Sequence, residues 1–224
     1  SADADAGQRV VLPYLRWLGV NAVDTLIITH GDADHAGGLA SLQAGVPIRA
    51  LLSSMPELAG DLCRNGQGWR WNGVDFAILH PHGDAYAESG KRTKRNSLSC
   101  VLKVSAGARS MLLTADIEAV DEFAMLRRNL AQLPADILLV PHHGARGSST
   151  QAFVDAVAAE QVIFSVGYRN RFGHPDPEIL DRYQSTATRL WRTDWHGAVQ
   201  VRLASDKLEV SSWRQQHARY WHGR

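Results

Sequence analysis

Short β-branched runs that stop abruptly at polar residues constrain this chain more than any other feature. Asp24–Thr29 (DTLIIT), Ile48–Leu52, Val74–Leu79 (VDFAIL) and Asp136–Val140 (DILLV) are too short for independent helices and almost wholly apolar, the pattern of strands buried in a sheet. Further strands are expected at Ser97–Ser105 and Arg109–Thr114, joined by a turn at Gly107, and at Gln161–Val166, Arg189–Thr193, Ala198–Leu203 and Lys207–Ser212. Helical patterns lie between them: Gln8–Gly19, with a stripe of Val11, Leu12, Leu15 and Leu18, a helix opening at Ala36, then Glu118–Ala131, Ser148–Glu160 and Asp176–Ser185. Strands alternating with helices predict an α/β fold whose sheets are covered by helices. Gly60–Asn72 and Gly83–Asn96 read as loops, and the residues after Ser212 as a polar, aromatic tail.

The 224 residues suit one domain or at most two small ones. Apolar residues at 45% and charged residues at 21% exclude a disordered, collagenous or coiled-coil chain. No apolar run approaches the ~20 residues of a membrane span, so this stretch is read as soluble. A net charge of +1 leaves any polyanion site to a local patch. Cys63 and Cys100 permit one disulfide or two buried thiols, and count alone does not choose between them.

Chemistry-bearing residues gather just past the strands. His30, Asp32, Asp34 and His35 follow the first, Asp116 follows Arg109–Thr114, and His142 and His143 follow Asp136–Val140. Ligand sites of α/β proteins lie at strand carboxyl ends. Mixed imidazole and carboxylate donors suit Zn²⁺ or Mn²⁺ better than a thiolate-binding metal. A carboxylate such as Asp116 would bridge two ions ~3.5–4 Å apart. The plainer alternatives are helix caps from Asp32, Asp34 or Asp116 and a structural turn at His142-His143. His174, in Phe172-Gly173-His174-Pro175, is a candidate proton donor or phosphate contact, or else a packed loop histidine. Ser148 and Ser149 open a predicted helix, as phosphate contacts or simple caps. Lys91, Arg92, Lys94 and Arg95 would suit a nucleic-acid backbone, although such loops are usually solvated. Trp69 and Trp71 offer rings to unpaired bases, or pack internally.

HGDADH at His30–His35 resembles the HxHxDH motif of the metallo-β-lactamase fold, with Asp32 in place of the middle histidine. LLTAD at Leu112–Asp116 and VPHHG at Val140–Gly144 resemble the strand ends that carry that fold's bridging acid and last metal histidine. Together with NSLSCVLKV, PHHGARGSST and RFGHPDPEIL, these motifs are similar to the C-terminal extracytoplasmic domain of ComEC-type competence proteins, which form the DNA-uptake channel of natural transformation. The resemblance runs from about Gly7 to about Ser212.

It implies an αββα sandwich over residues 1–212 with a tail at 213–224. The family's opening DVGQGD and IDxG segments are absent, so the sandwich is expected without its first strands and with an unpaired sheet edge. It implies that His30 and Asp32 serve one ion and Asp34 and His35 another, that Asp116 bridges, and that His143 is the favoured late ligand, with His142 an outer or alternative ligand. The catalytic pair would be Asp34 and His174. The family's isolated third histidine has no counterpart, and Asn96 lies nearest its place. The implied activity is metal-dependent hydrolysis of DNA, with up to two Mn or Zn ions and degradation of the strand that is not imported. A DNA-guiding module without catalysis and a small-molecule hydrolase of the same fold are the alternatives. Implied partners are single-stranded DNA and a membrane channel domain of the same polypeptide, with this piece monomeric and outside the inner membrane. That location favours a Cys63–Cys100 disulfide.

Overall fold

The computed structural model describes residues 5–88, 94–186 and 188–218. The chain forms two compact units, one of residues 1–65 with 80–100 and the other of residues 66–79 with 101–224.

In the first unit, a π-helical turn at Gly7–Val11 runs into α1 (Leu12–Trp17), followed by β1 (Val23–Ile28), α2 (Ala33–Ala36), α3 (Leu39–Gly45), β2 (Ile48–Ser53), β3 (Asp61–Leu62) and α4 (Ala85–Glu88). The strands make a parallel sheet in the order β1-β2-β3, with Val23 opposite Ile48 and Ile28 opposite Ser53. Leu12, Leu42 and Val46 are buried, and Leu15, Val23, Leu26 and Ile48 pack against them. The expected helix from Ala36 is two helices, α2 and α3, broken at Gly37-Gly38. A side chain on Gly7 would collide with the Gly38 backbone, so glycine permits that close approach.

The second unit holds β4 (Gly68–Trp71), β5 (Val74–His80), β6 (Val101–Ala106), β7 (Arg109–Leu113), α5 (Ala119–Asn129), β8 (Ile137–Leu139), α6 (Gln151–Val157), β9 (Gln161–Phe164), α7 (Pro177–Gln184), β10 (Arg189–Arg192), α8 (Thr193–His196), β11 (Val199–Leu203), β12 (Leu208–Ser212) and α9 (Trp213–Gln216). The last residue of β5, His80, falls in the first unit. The seven-stranded sheet runs β10-β9-β8-β7-β6-β5-β4. Its β7 to β10 portion is parallel, and the pairs β6–β7 and β4–β5 are antiparallel. Alternate residues serve opposite faces. Leu138, Val162 and Phe164 pack with Met125 of α5, Phe153 of α6 and Ile179 of α7. Ile137, Ile163 and Trp191 pack with Val199, Val201, Leu208 and Val210 of the β11–β12 hairpin.

Several sequence expectations need correction. Gly60–Asn72 is not all loop, because β3 and β4 form there. Cys100 precedes β6 rather than lying within a strand, and the tail begins with the helical turn α9. The predicted Ser148–Glu160 helix starts only at Gln151, because Ser148 and Ser149 are held in the preceding turn.

Candidate functional site

In the first unit, β1 ends at Ile28 and delivers Thr29 and the HGDADH loop at the carboxyl edge of the parallel sheet. His30 is fully buried, and the His30 and His35 rings lie 4.1 Å apart. The Thr29 hydroxyl lies 3.3 Å from His30 Nδ1 and 3.2 Å from His35 Nδ1, orienting both imidazoles. His30 Nε2 is 3.8 Å from an Asp32 oxygen and His35 Nε2 is 3.7 Å from an Asp34 oxygen. Asp32 occupies the N-cap position of α2, yet its side chain makes no capping hydrogen bond. The carboxylate is therefore available for other work, and Arg95 approaches it at 3.5 Å.

In the second unit, Asp116 follows β7 and is 4% exposed. It does not cap the next helix: Glu118 does, in a reciprocal capping box with Asp121. His142 and His143 sit in a 3₁₀ turn at Pro141–Gly144, both in the left-handed region with φ of 48° and 57°. Their Nε2 atoms lie 3.8 and 3.6 Å from the two Asp116 oxygens. His143 Nδ1 lies 2.6 Å from the Ser165 carbonyl. A carbonyl only accepts, so Nδ1 carries a proton, and in the neutral ring this leaves Nε2, on the Asp116 side, as the nitrogen with the lone pair. Outer hydrogen bonding of this kind is what metal-binding histidines use to fix their tautomer. The donor set thus fits a divalent cation in chemistry and in tautomer.

His174 joins the same cluster, 6.1 Å from His142 and 6.5 Å from His143, ring centre to ring centre. Burial, with the two neighbouring histidines, holds its pKa below the usual histidine value against the pull of Asp116 and Asp176. A neutral imidazole at pH 7 suits hydrogen bonding to a phosphoryl oxygen better than proton donation as imidazolium.

The remaining candidates are placed differently. Ser148 is buried and donates to the Pro141 and Ala145 carbonyls. Ser149 is buried too, its hydroxyl accepting from Tyr183 and its N–H bound to Glu122. Neither serine presents a surface to DNA: both are internal struts, and Thr150 is the cap of α6. Lys91 and Arg92 lie outside the described residues. Lys94 is exposed, whereas Arg95 engages Asp32 and the Gly31 carbonyl. Trp69 stacks on Phe76 at 5.1 Å, and Trp71 is half-exposed. Cys63 and Cys100 are joined in a disulfide within the first unit. Sequence reasoning passed over Thr29, whose one signal is a hydroxyl directly ahead of His30, and the role of the Ser165 carbonyl, which carries no side-chain signal. Among the described residues, no helix is long and apolar enough to cross a membrane.

Residues 3–59 match the metallo-beta-lactamase superfamily. Competence protein ComA of Neisseria gonorrhoeae is 32% identical over 210 residues, 93% of this chain and 29% of that protein. Recombination protein 2 of Haemophilus influenzae is 32% identical over 208 residues, 91% of this chain and 25% of that protein. The chain therefore spans between a quarter and a third of these relatives' length. Among solved structures, CmlA, a diiron β-hydroxylase from Streptomyces venezuelae, shares the fold with a TM-score of 0.54 at 15% identity, over 86% of this chain and 45% of that one.

Proposed function

The chain belongs to the metallo-β-lactamase superfamily and aligns over nearly its whole length with ComEC-type competence proteins, and from that premise we propose that it is a metal-dependent phosphodiesterase acting on DNA during uptake. One observation supports hydrolysis above all: the buried Asp116 faces His143, whose tautomer the Ser165 carbonyl sets for ligation. The reading of DNA as substrate rests on the names of the relatives. His30, Asp32, Asp34 and His35 would be the first unit's ligands for divalent ions, and Asp116 and His143 the second unit's. Divalent ions in such sites polarise phosphoryl oxygens and lower the pKa of water.

The chain's own side chains do the rest. Thr29 orients His30 and His35, Asp34 positions the attacking water, and His174 holds a phosphoryl oxygen or the leaving oxygen. The strand degraded is the one not imported, the location extracytoplasmic beside the channel domain, and the metal Mn or Zn.

A second reading, DNA guiding without hydrolysis, is favoured by Arg95, whose guanidinium sits 3.5 Å from Asp32 where a cation would otherwise bind. Digestion of end-labelled single-stranded DNA with added Mn²⁺, comparing the protein with Asp34→Ala, separates the two. Cleavage lost in the variant supports the hydrolase. Undiminished cleavage by the variant, or none by either protein, overturns it.

A further inference from the structure

The loop after β9 reads Tyr168-Arg169-Asn170-Arg171-Phe172, and no acidic residue lies between Ser165 and Pro175. Its centre is turned inward. The Asn170 side-chain amide donates to the His174 carbonyl at 2.7 Å and to the Gly167 carbonyl at 3.3 Å, while its oxygen accepts the His174 N–H at 2.9 Å. Left-handed backbone at Arg169 and Gly173 closes the turn on both sides of Asn170. The four neighbours are thereby pushed out. Tyr168 is 67% exposed and Phe172 66%, far more than such rings usually are. A guanidinium rides on each: Arg169 lies 5.2 Å from the Tyr168 ring centre and Arg171 4.9 Å from that of Phe172. Phe172 in turn stacks on His174 at 5.8 Å, so the platform begins at a residue of the proposed site.

Exposed ring faces flanked by arginines are what an unpaired nucleic-acid strand needs: rings for the bases, cations for the phosphates. A duplex hides its base faces and offers nothing for the rings. We propose that the Tyr168–Phe172 loop is a single-strand stacking platform that seats nucleotides beside His174. It supplies a nucleic-acid contact that the buried Ser148 and Ser149 do not. The proposal rests on the reading of DNA as substrate, but binding is separable from cleavage.

Polarisation of a fluorescein-labelled oligothymidylate, read in chelator so that no hydrolysis intervenes, tests it. Tyr168→Ala with Phe172→Ala is expected to weaken binding about ten-fold or more per ring. Tyr168→Trp with Phe172→Trp should restore binding, and an abasic oligonucleotide should bind the unaltered protein as poorly as oligothymidylate binds the alanine variant. Arg169→Gln with Arg171→Gln should reduce the salt slope by about 1.4, as for two phosphates on a single strand. Thermal melting confirms that the variants are folded. A chain that binds through these rings yet cleaves nothing fails the hydrolase reading and keeps this one. Equal binding by the alanine variant, equal binding of a duplex or abasic strand, or no binding by the unaltered protein overturns it.

Discussion

His142 and His143 hold two successive left-handed backbones that non-glycine residues avoid at a cost of about 1–3 kcal/mol each. The surroundings over-determine the turn: His142 N–H donates to the Ala115 carbonyl, Ala145 N–H to that of His142, and Gly144 lies tight against Pro175 and Phe164. A strained turn kept with histidines rather than glycines points to use of the imidazoles. His143→Gly should be more stable than His143→Ala by about 1 kcal/mol, because only glycine relieves the left-handed strain. Both should lose Mn²⁺ affinity by more than about 100-fold in calorimetric titration, beyond the effect of removing an outer partner. His142→Ala should lose less, since the fixed tautomer belongs to His143. A larger loss at His142 than at His143 would reverse the choice between them. Asp34→Ala and Asp116→Asn are each expected to abolish metal-dependent phosphodiester cleavage while keeping the circular dichroism of the parent. Asp34 is exposed, and asparagine preserves the shape of the buried Asp116. Near-normal cleavage by either variant would end the ligand assignment.

Between β7 and β8 the structure places a carboxylate where the sequence shows only one aspartate among many. Asp136, just ahead of β8, accepts from Arg109 Nη1 and from the Ser110 N–H, each at 2.6 Å, and so pins the parallel register of the two strands. Burial raises the Asp136 pKa, but the Arg109 hydrogen bond and charge with the Ser110 N–H outweigh it, and the net value lies below the usual aspartate range. With a folded pKa below the unfolded one, the stabilisation is complete above the unfolded value and disappears as pH falls through the folded value. Asp136→Asn should therefore cost about 2 kcal/mol at pH 7. The difference from the parent should shrink below about pH 4 in denaturant titrations, and a gap that stays constant into acid would contradict the linkage. The strands themselves were readable because buried runs such as DILLV leave helix no room, and observed β8, β9 and β10 fall inside the expected spans. Helix starts were less so. Ser148 and Ser149 have the composition of a cap, yet the buried Glu122, distant in sequence, claims the N–H groups of Ser149 and Thr150. The site was legible wherever its donors were side chains at strand ends. The parts supplied by backbone carbonyls, such as that of Ser165, leave no trace in residue types.

At the scale of the whole molecule, the chain leaves the first unit after Asn65, builds β4 and β5 within the second, and returns at His80. The Cys63–Cys100 disulfide spans that excursion, a separation of 37 residues, and both sulfurs belong to the first unit. Each cysteine is buried and tied to the parallel sheet's carboxyl edge: Cys63 N–H donates to Ser53 O and Cys100 N–H to Thr29 O. The bridge therefore fastens the ends of β1 and β2 beside the HGDADH loop. Closing a loop of this length removes unfolded-state entropy worth about 4 kcal/mol. This gain belongs to the first unit, so its loss should be local. In the Cys63→Ala/Cys100→Ala protein, hydrogen exchange is expected to show lost protection in β1 and β2, while β8 and β9 keep theirs. Thiol titration of the parent in denaturant without reductant should find no free sulfhydryl. Protection lost evenly across both units would mean that they open as one, and two titratable thiols would remove the bridge itself.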